Sequence, residues 1–211
     1  MIIDSNNDTI CAISTPPGIG GIAVIRISGP KAITIVNNLW KGRNLADVDS
    51  HTTHLGELGE KNGEPIDQCV ATIFRGPRSY TGEDIVELSI HGSKWIQREA
   101  LALLQRNGCR LASPGEYTRR AVMNGRMDLS QAEGVADVIA STSRAAHRIA
   151  MSQMKGGISQ RLAILRERLL HLAVLLELEL DFSEEDVEFA DRTQLIDTAM
   201  EAVAYKHLRA H

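Results

Sequence analysis

The sequence predicts an α+β protein that begins with a mixed β-sheet domain and continues into an all-α region. Two observations support this division. All six prolines and 13 of the 17 glycines lie at or before Gly115, so turn-forming residues are concentrated in the first part. Beyond that point, apolar residues recur at spacings of three and four, which is typical of helices that pack against each other. We therefore assign residues 1–120 to the sheet domain and residues 121–211 to the helical part.

Short β-branched segments alternate with two helical segments in the first part. Strands are predicted at 10–14, 22–28, 51–58, 66–74, 84–90 and 109–112. Helices are predicted at 29–40 and 93–107, and Gly108 ends the second of them. Asn62-Gly63 lies between two of the strands and is a hairpin signal. A hairpin within this order favours a mixed sheet over a doubly wound parallel sheet.

Helical signals fill the second part. Ser130 and Glu133, three residues apart, predict a capping box for a helix over 131–142. Leucines recur between 162 and 180 and predict a second helix, Ser183 is predicted to cap a further turn, and 193–211 also has a helical pattern. The segment 177–191 contains eight carboxylates and no basic residue. We interpret it as a solvated face rather than a metal site, because its spacing matches no oxygen-ligand loop.

Composition excludes several classes of protein. The chain is 43% hydrophobic and has no apolar run long enough to cross a membrane, which excludes a disordered chain and a membrane span. The net charge of −4 argues mildly against a stand-alone nucleic-acid-binding protein. The N-terminus lacks the pattern of a secretory signal, and the three cysteines are dispersed. We therefore expect reduced core thiols and a cytoplasmic protein with no membrane partner.

The glycine-rich tract at 18–23 resembles a dinucleotide-binding fingerprint only in its letters. Gly18, Gly20 and Ala23 match G-x-G-x-x-A, but the tract precedes a strand, whereas the fingerprint must open a helix. We therefore reject a dinucleotide site and keep a glycine-rich loop whose backbone can approach a ligand or a partner chain. The sequence contains no phosphate-binding G-x-x-x-x-G-K-[ST] motif, and none of its histidines has metal-ligand spacing.

Two predicted strands each place one charged side chain beside aliphatic neighbours. Arg26 shares a strand face with Ile22 and Val24, and Glu87 shares one with Ile85. A charge in such a position must be paired, exposed or kept for a ligand. Spacing alone leaves three possibilities open: an internal Arg26–Glu87 ion pair, an edge position, or a site where Glu87 accepts N–H bonds from a planar heterocycle while Arg26 binds an oxygen or an anion.

Two further polar segments are candidates for a site. In the segment 76–84, Asp84 either caps its own loop or belongs to a site with the neighbouring polar residues. The segment 113–137 holds Glu116, Arg119, Arg120 and Arg126 near the predicted domain boundary, where ligand sites are common. The alternative is a charged turn between two helices, broken at Asn124-Gly125.

Three long tracts carry a family resemblance: TPPGIGGIAVIRISG, GPRSYTGEDIVELSIHG and SPGEYTRRAVMNGRMDLSQAEGVADVI. Together they closely resemble the bacterial tRNA-modification GTPases of the MnmE family, also called TrmE. The resemblance implies an N-terminal domain similar to the folate-binding domain of glycine-cleavage aminomethyltransferases, followed by the first part of a helical domain. It also implies that the N-terminal domain forms a homodimer and binds 5-formyltetrahydrofolate near the dimer interface.

The same resemblance implies a reaction for the complete protein. With the FAD-dependent partner MnmG, it would add an aminomethyl or carboxymethylaminomethyl group at C5 of the wobble uridine of tRNA. GTP hydrolysis, with Mg²⁺ and K⁺, would belong to a G domain whose P-loop is absent from this sequence. We therefore expect an N-terminal fragment that neither binds nor hydrolyses GTP by itself. The alternatives are a folate-dependent aminomethyltransferase-like enzyme and a dimerisation scaffold without a ligand.

Carried over position by position, the resemblance places folate contacts at Arg26, Glu87 and Arg126, and implies no catalytic or metal-ligating residue. A carboxylate offers two acceptors to the adjacent N–H and amino donors on one edge of a reduced pterin, which suits Glu87. Arg26 or Arg126 could neutralise a carboxylate of the glutamate tail or hold the formyl oxygen. The family more often has lysine at the position of Arg126, and arginine replaces that ammonium with a wider planar fork of donors.

Overall fold

The computed structural model describes residues 8–181 together with 193, 196–198 and 200. The chain forms two compact units, which divide between Met127 and Asp128. The first unit is built around a sheet and the second consists of helices. This architecture confirms the predicted α+β class, with a mixed sheet followed by an all-α region.

A seven-stranded sheet organises the first unit in the order β3-β4-β5-β6-β2-β1-β7. All neighbouring strands are antiparallel except β1 and β7, which are parallel. The strands are β1 (Thr9–Ile13), β2 (Gly20–Ser28), β3 (Trp40–Gly42), β4 (Thr52–Leu58), β5 (Asp67–Phe74), β6 (Ile85–Gly92) and β7 (Cys109–Leu111). The helices of this unit are α1 (Ala32–Asn38), α2 (Lys94–Arg106) and α3 (Glu116–Met123), with a 3-10 turn at Leu45–Asp47.

One face of the sheet, here called the closed face, forms the hydrophobic core. Alternate residues of the central strands, such as Ile25 on β2 and Leu88 on β6, are fully buried there. Aliphatic residues of α1 and α2, including Val36 and Leu104, belong to the same buried cluster. The three cysteines are free and buried, as predicted, and burial together with the nearby Asp67 carboxylate raises the pKa of the Cys69 thiol to about 12.

The first helix ends earlier than predicted. We predicted it through Trp40, whereas α1 ends at Asn38 and Trp40 begins β3. Trp40 pairs with Leu58 on β4, and its indole lies directly over Gly56, where a Cβ would come within 2.5 Å of the ring. The indole therefore needs a glycine on the neighbouring strand, which is a tertiary contact that local propensity does not contain.

The second unit contains α4 (Leu129–Ala140), α5 (Arg144–Met154) and α6 (Gly157–Asp181). The cap of α4 differs from the prediction: Asp128, rather than Ser130, accepts from the backbone N–H of Gln131, whose side chain completes the capping box. Gly134 of α4 lies so close to the backbone of α5 that a Cβ there would be 2.6 Å from the nitrogen of Met154. Within the described ranges, no helix has the length and apolar character that a bilayer span requires.

Three predictions for the second part fall wholly or partly outside the described residues. They concern the cap at Ser183, the portion of the acidic run after residue 181, and the helix over 193–211. Within that last range the structure describes 193, 196–198 and 200, which are helical.

Candidate functional site

Arg26 and Glu87 form an ion pair on the second face of the sheet, here called the open face. They are direct cross-strand partners on β2 and β6. Arg26 Nη2 lies 2.6 Å from Glu87 Oε1, and Nε donates to the same oxygen at 2.8 Å. The side chains are 26% and 25% exposed, so the pair is neither buried in the core nor fully solvated. Of the alternatives that the sequence leaves open, the structure therefore contains the internal ion pair.

Two tyrosines enclose the guanidinium of Arg26. The carbon at its centre lies 5.2 Å from the ring centroid of Tyr80 and 5.6 Å from that of Tyr117, distances typical of cation–π contacts. The Tyr117 hydroxyl donates to the backbone oxygen of Arg26 at 2.6 Å, and burial raises the pKa of this phenol, which keeps it a donor. The Tyr80 hydroxyl is 2.8 Å from the Thr118 hydroxyl. The tyrosines thus hold Arg26 in one orientation.

The pair leaves hydrogen-bonding capacity for a ligand. Its internal bonds use Nε and Nη2 of Arg26 and Oε1 of Glu87. Among the described residues, Nη1 of Arg26 and Oε2 of Glu87 have no partner. A planar group that carries both an acceptor and a donor on one edge can therefore bond to both residues without breaking the ion pair.

Tyr80 belongs to a loop over residues 75–84, here called the Tyr80 loop. The carboxylate of Asp84 accepts from the backbone N–H of Gly76 at 2.9 Å and closes the loop. The Ser79 hydroxyl donates to the backbone oxygen of Glu83 at 2.5 Å. Asp84 therefore has the local structural role that was one of its two predicted alternatives.

Arg126 contacts the Tyr80 loop rather than the ion pair. Its exposed side chain donates from Nε to the backbone oxygen of Ser79 at 3.2 Å. Gly82 lies against the same side chain, since a Cβ there would be 3.2 Å from Arg126 Cγ. Asn124 donates to the backbone oxygen of Thr81 at 2.7 Å and gives the loop a second attachment. The structure therefore joins Arg26 and Glu87 directly and links Arg126 to them through the Tyr80 loop.

A buried charge network supports this end of the open face. Arg120 is 2% exposed and pairs with Asp8, with Glu83 at 3.0 Å and with Glu116 at 3.2 Å. The hydrogen bond from Arg110, which outweighs the cost of burial, lowers the pKa of Glu116 to about 2. For the residues 113–137, the structure thus favours a structural role for Glu116 and Arg120 over ligand binding.

The network reaches the Tyr80 loop through Glu83. Its carboxylate accepts from the Ser28 hydroxyl at 2.7 Å as well as from Arg120. The Ser28 hydroxyl is also 2.7 Å from the hydroxyl of Thr81. The loop that positions Tyr80 is therefore attached to β2 and to α3 by charged and polar bonds.

Further from the ion pair, the open face carries exposed aliphatic side chains among polar ones. Ile22 on β2 is 68% exposed and Leu55 on β4 is 66% exposed. Val24, Ser89, Val70 and Leu55 form the cross-strand row beside the ion pair, and Ile22 lies opposite His91 in the next row. Aliphatic and polar side chains thus alternate across this part of the open face.

Sequence reasoning did not identify Tyr80 and Tyr117 as neighbours of Arg26. Both tyrosines are far from Arg26 along the chain, with 91 positions separating Tyr117 from it, and no local pattern relates the three. The only available signal was that both occur in the polar tracts singled out for their charges. No three His, Cys, Asp or Glu side chains in the described ranges are grouped as metal ligands would be.

Two family models match the chain. The model described as "GTP-binding protein TrmE N-terminus" matches residues 9–126, and "MnmE helical domain" matches residues 129–206. The first match covers more than half of the chain and contains the whole described sheet.

Individual relatives agree with the family models. The chain is 54% identical over 193 residues to a tRNA modification GTPase MnmE of Cytophaga hutchinsonii and 55% identical over 192 residues to that of Flavobacterium johnsoniae. The matches cover 92% and 90% of this chain but only 42% and 41% of those relatives, so the chain spans less than half of their length. The chain belongs to the TrmE/MnmE family of tRNA-modification GTPases, and it corresponds to the N-terminal and helical portions of its relatives.

Proposed function

We propose that the first unit binds a reduced one-carbon folate, 5-formyltetrahydrofolate, beside the Arg26–Glu87 pair. The observation that carries the proposal is a partly exposed ion pair, fixed by two tyrosines, with one donor and one acceptor unused. A pterin ring presents acceptors and donors on one edge, so it matches this pair in both shape and polarity.

Each residue has a distinct role in this proposal. Glu87 accepts an N–H of the pterin edge through Oε2, and a second N–H can bond to Oε1 only if Arg26 releases that oxygen. Arg26 donates from Nη1 to an oxygen of the ligand. Arg126 lies exposed on the Tyr80 loop, where its guanidinium suits a carboxylate of the glutamate tail.

The open face supports homodimerisation. Ile22 and Leu55 expose aliphatic surface on the same face as the ion pair, and covering that surface with a second copy removes it from water. A two-fold interface here would place the folate sites of both copies near the partner chain. This arrangement explains why charge and exposed aliphatic surface occupy one sheet face.

In the complete protein, this portion would serve tRNA modification. The relatives are named tRNA modification GTPases, and the chain corresponds to less than half of their length. We assign to the chain the one-carbon folate site of a larger complex. That complex would contain the FAD-dependent partner MnmG and tRNA, and it would modify C5 of the wobble uridine in the cytoplasm. Since the sequence has no P-loop, the residues that would bind GTP, Mg²⁺ and K⁺ belong to the remaining portion of such a protein.

Titration calorimetry of 5-formyltetrahydrofolate into the chain tests the folate site. We expect saturable binding that Glu87→Gln weakens by about 30-fold or more, because an amide cannot replace a charged acceptor beside Arg26. Glu57→Gln is the matched control, since Glu57 lies on β4 of the same sheet and should leave the affinity unchanged.

The oligomeric state, measured by sedimentation, separates the outcomes of that titration. Absence of folate binding by a folded dimer would contradict the folate site and leave a dimerisation scaffold. Absence of a dimer at any protein concentration would contradict the proposed role of the open face.

A further inference from the structure

Helix α5 carries a row of three exposed cations: Arg144, Arg148 and Lys155, the last being the residue that caps its C-terminus. Successive residues of an α-helix turn by about 100°, so these three lie within an arc of about 40°. The row extends about 16 Å along the helix axis, at about 1.5 Å per residue. Its positions therefore form a straight line of positive charge on one side of the helix.

The opposite side of α5 packs against α4. Ala150 is the buried residue of α5, and it lies on the far side of the helix from the cations. The Gln153 side chain donates to the backbone oxygen of Ser130 at 3.1 Å, and Gln131 donates to that of Met154 at 3.2 Å. These contacts fix the rotation of α5, so that the cationic row points away from α4.

The row has no counter-charge in the part of the chain that the structure describes. Residues 138–166 contain no aspartate or glutamate, and none of the three cations forms an ion pair there. Arg144 and Arg148 are four residues apart, a spacing at which like charges destabilise a helix. A solvated helix face normally mixes both signs of charge. A one-sign row in a chain of net charge −4 indicates a surface adapted to an anionic partner.

We propose that this row binds the sugar-phosphate backbone of tRNA. A line of about 16 Å with three separate cations fits a repeating polyanion better than a single phosphate group. The three cations line a shallow groove along α5. The hydroxyl of Ser152 and the imidazole of His147 line it with them and can donate further bonds to phosphate oxygens. The choice of RNA as the polyanion rests on the proposed role in tRNA modification, whereas the surface itself is independent of the folate site.

Binding of bulk tRNA to the chain, measured by fluorescence anisotropy between about 50 and 200 mM salt, tests the proposal. We expect Arg144→Gln/Arg148→Gln/Lys155→Gln to weaken binding about 100-fold at low salt. The slope of log affinity against log salt is negative, and its magnitude should decrease by about two to three. The reason is that the variant releases up to three fewer counterions on binding. The matched control is Arg43→Gln/Lys61→Gln/Arg106→Gln, which removes three exposed cations from the first unit and should change neither quantity much.

Three results would overturn the proposal: no tRNA binding by the unsubstituted chain at low salt, an equal loss in both triple variants, or competition by polyglutamate as effective as that by RNA. The last result would identify an acidic polypeptide as the partner. Folate titration of the same variants separates this proposal from the proposed function. If the chain binds folate but its tRNA binding does not depend on the α5 cations, only the RNA-surface proposal is rejected. If tRNA binding depends on the α5 cations but the chain does not bind folate, only the folate-site proposal is rejected.

Discussion

The two faces of the sheet use the same strands for different purposes. On β2, Ile25 is fully buried on the closed face, while Ile22 on the open face is 68% exposed. The closed face is held by aliphatic packing against α1 and α2. The end of the open face near Arg26 is held by hydrogen bonds and ion pairs from α3 and the Tyr80 loop. One face is thus stabilised by burial of aliphatic side chains and the other, near Arg26, by charged and polar bonds; the proposed ligand and the proposed second copy would both use the second face.

The charged support of the open face is the strongest test of this comparison. Glu116→Ala would remove a fully buried carboxylate that pairs with both Arg110 and Arg120. We expect the free energy of unfolding to fall by about 3–5 kcal/mol, because two cations lose a buried partner. Urea denaturation measures this loss, and Glu60→Ala is an exposed control that should cost less than about 0.5 kcal/mol. A loss below about 1 kcal/mol for Glu116→Ala would show that the network is dispensable.

Substitution of two isoleucines on one strand compares the faces directly. Ile25→Ala should lower the free energy of unfolding by about 2–5 kcal/mol through lost burial and a cavity. Ile22→Ala should change it by less than about 0.5 kcal/mol at protein concentrations where the chain is monomeric. With the proposed dimer, its effect should grow with concentration, because a weakened dimer contributes less stability by mass action. Equal effects of both substitutions at low concentration would contradict the division into a closed and an open face.

Acid should weaken the charged end of the open face before the aliphatic core. The pKa of Glu116 is lowered from its ordinary value of 4.5 to about 2, chiefly by the hydrogen bond from Arg110. The unfolded chain therefore binds this proton more readily, and the stabilisation is complete above about pH 4.5 and is lost as the pH falls toward 2. The loss amounts to about 3 kcal/mol. Denaturation at several pH values measures it, and Glu116→Gln should flatten the dependence over this window.

Removing one hydroxyl gives the smallest expected effect. Tyr117→Phe would delete the hydrogen bond to the Arg26 backbone and keep the ring beside the guanidinium. We expect a loss of about 0.5–1.5 kcal/mol in the free energy of unfolding. Folate affinity should fall only a few-fold in calorimetry, since the cation–π contact remains. A loss of affinity as large as that of Glu87→Gln would show that the hydroxyl itself contacts the ligand.

Local patterns in the sequence predict much of this protein. Alternation identifies the strands that carry Arg26 and Glu87, because side chains on a strand point to opposite faces with a period of two. Glycine and proline at turns separate these strands, and the spacing of leucines predicts the helical second part. The same alternation indicates that each charge shares a face with aliphatic residues and so must be paired, exposed or kept for a ligand.

The tertiary structure alone decides which of these possibilities is realised. The pairing of β2 with β6 sets Arg26 opposite Glu87, and a slip of either strand by one residue would have moved its charge to the closed face. The Tyr80 loop and α3 bring Tyr80 and Tyr117 to the same guanidinium from distant parts of the chain. Trp40 lies on a strand rather than in its predicted helix, and there its indole packs against Gly56 of the neighbouring strand. Periodicity determines what each segment can form, whereas contacts between distant segments depend on packing that no local window contains.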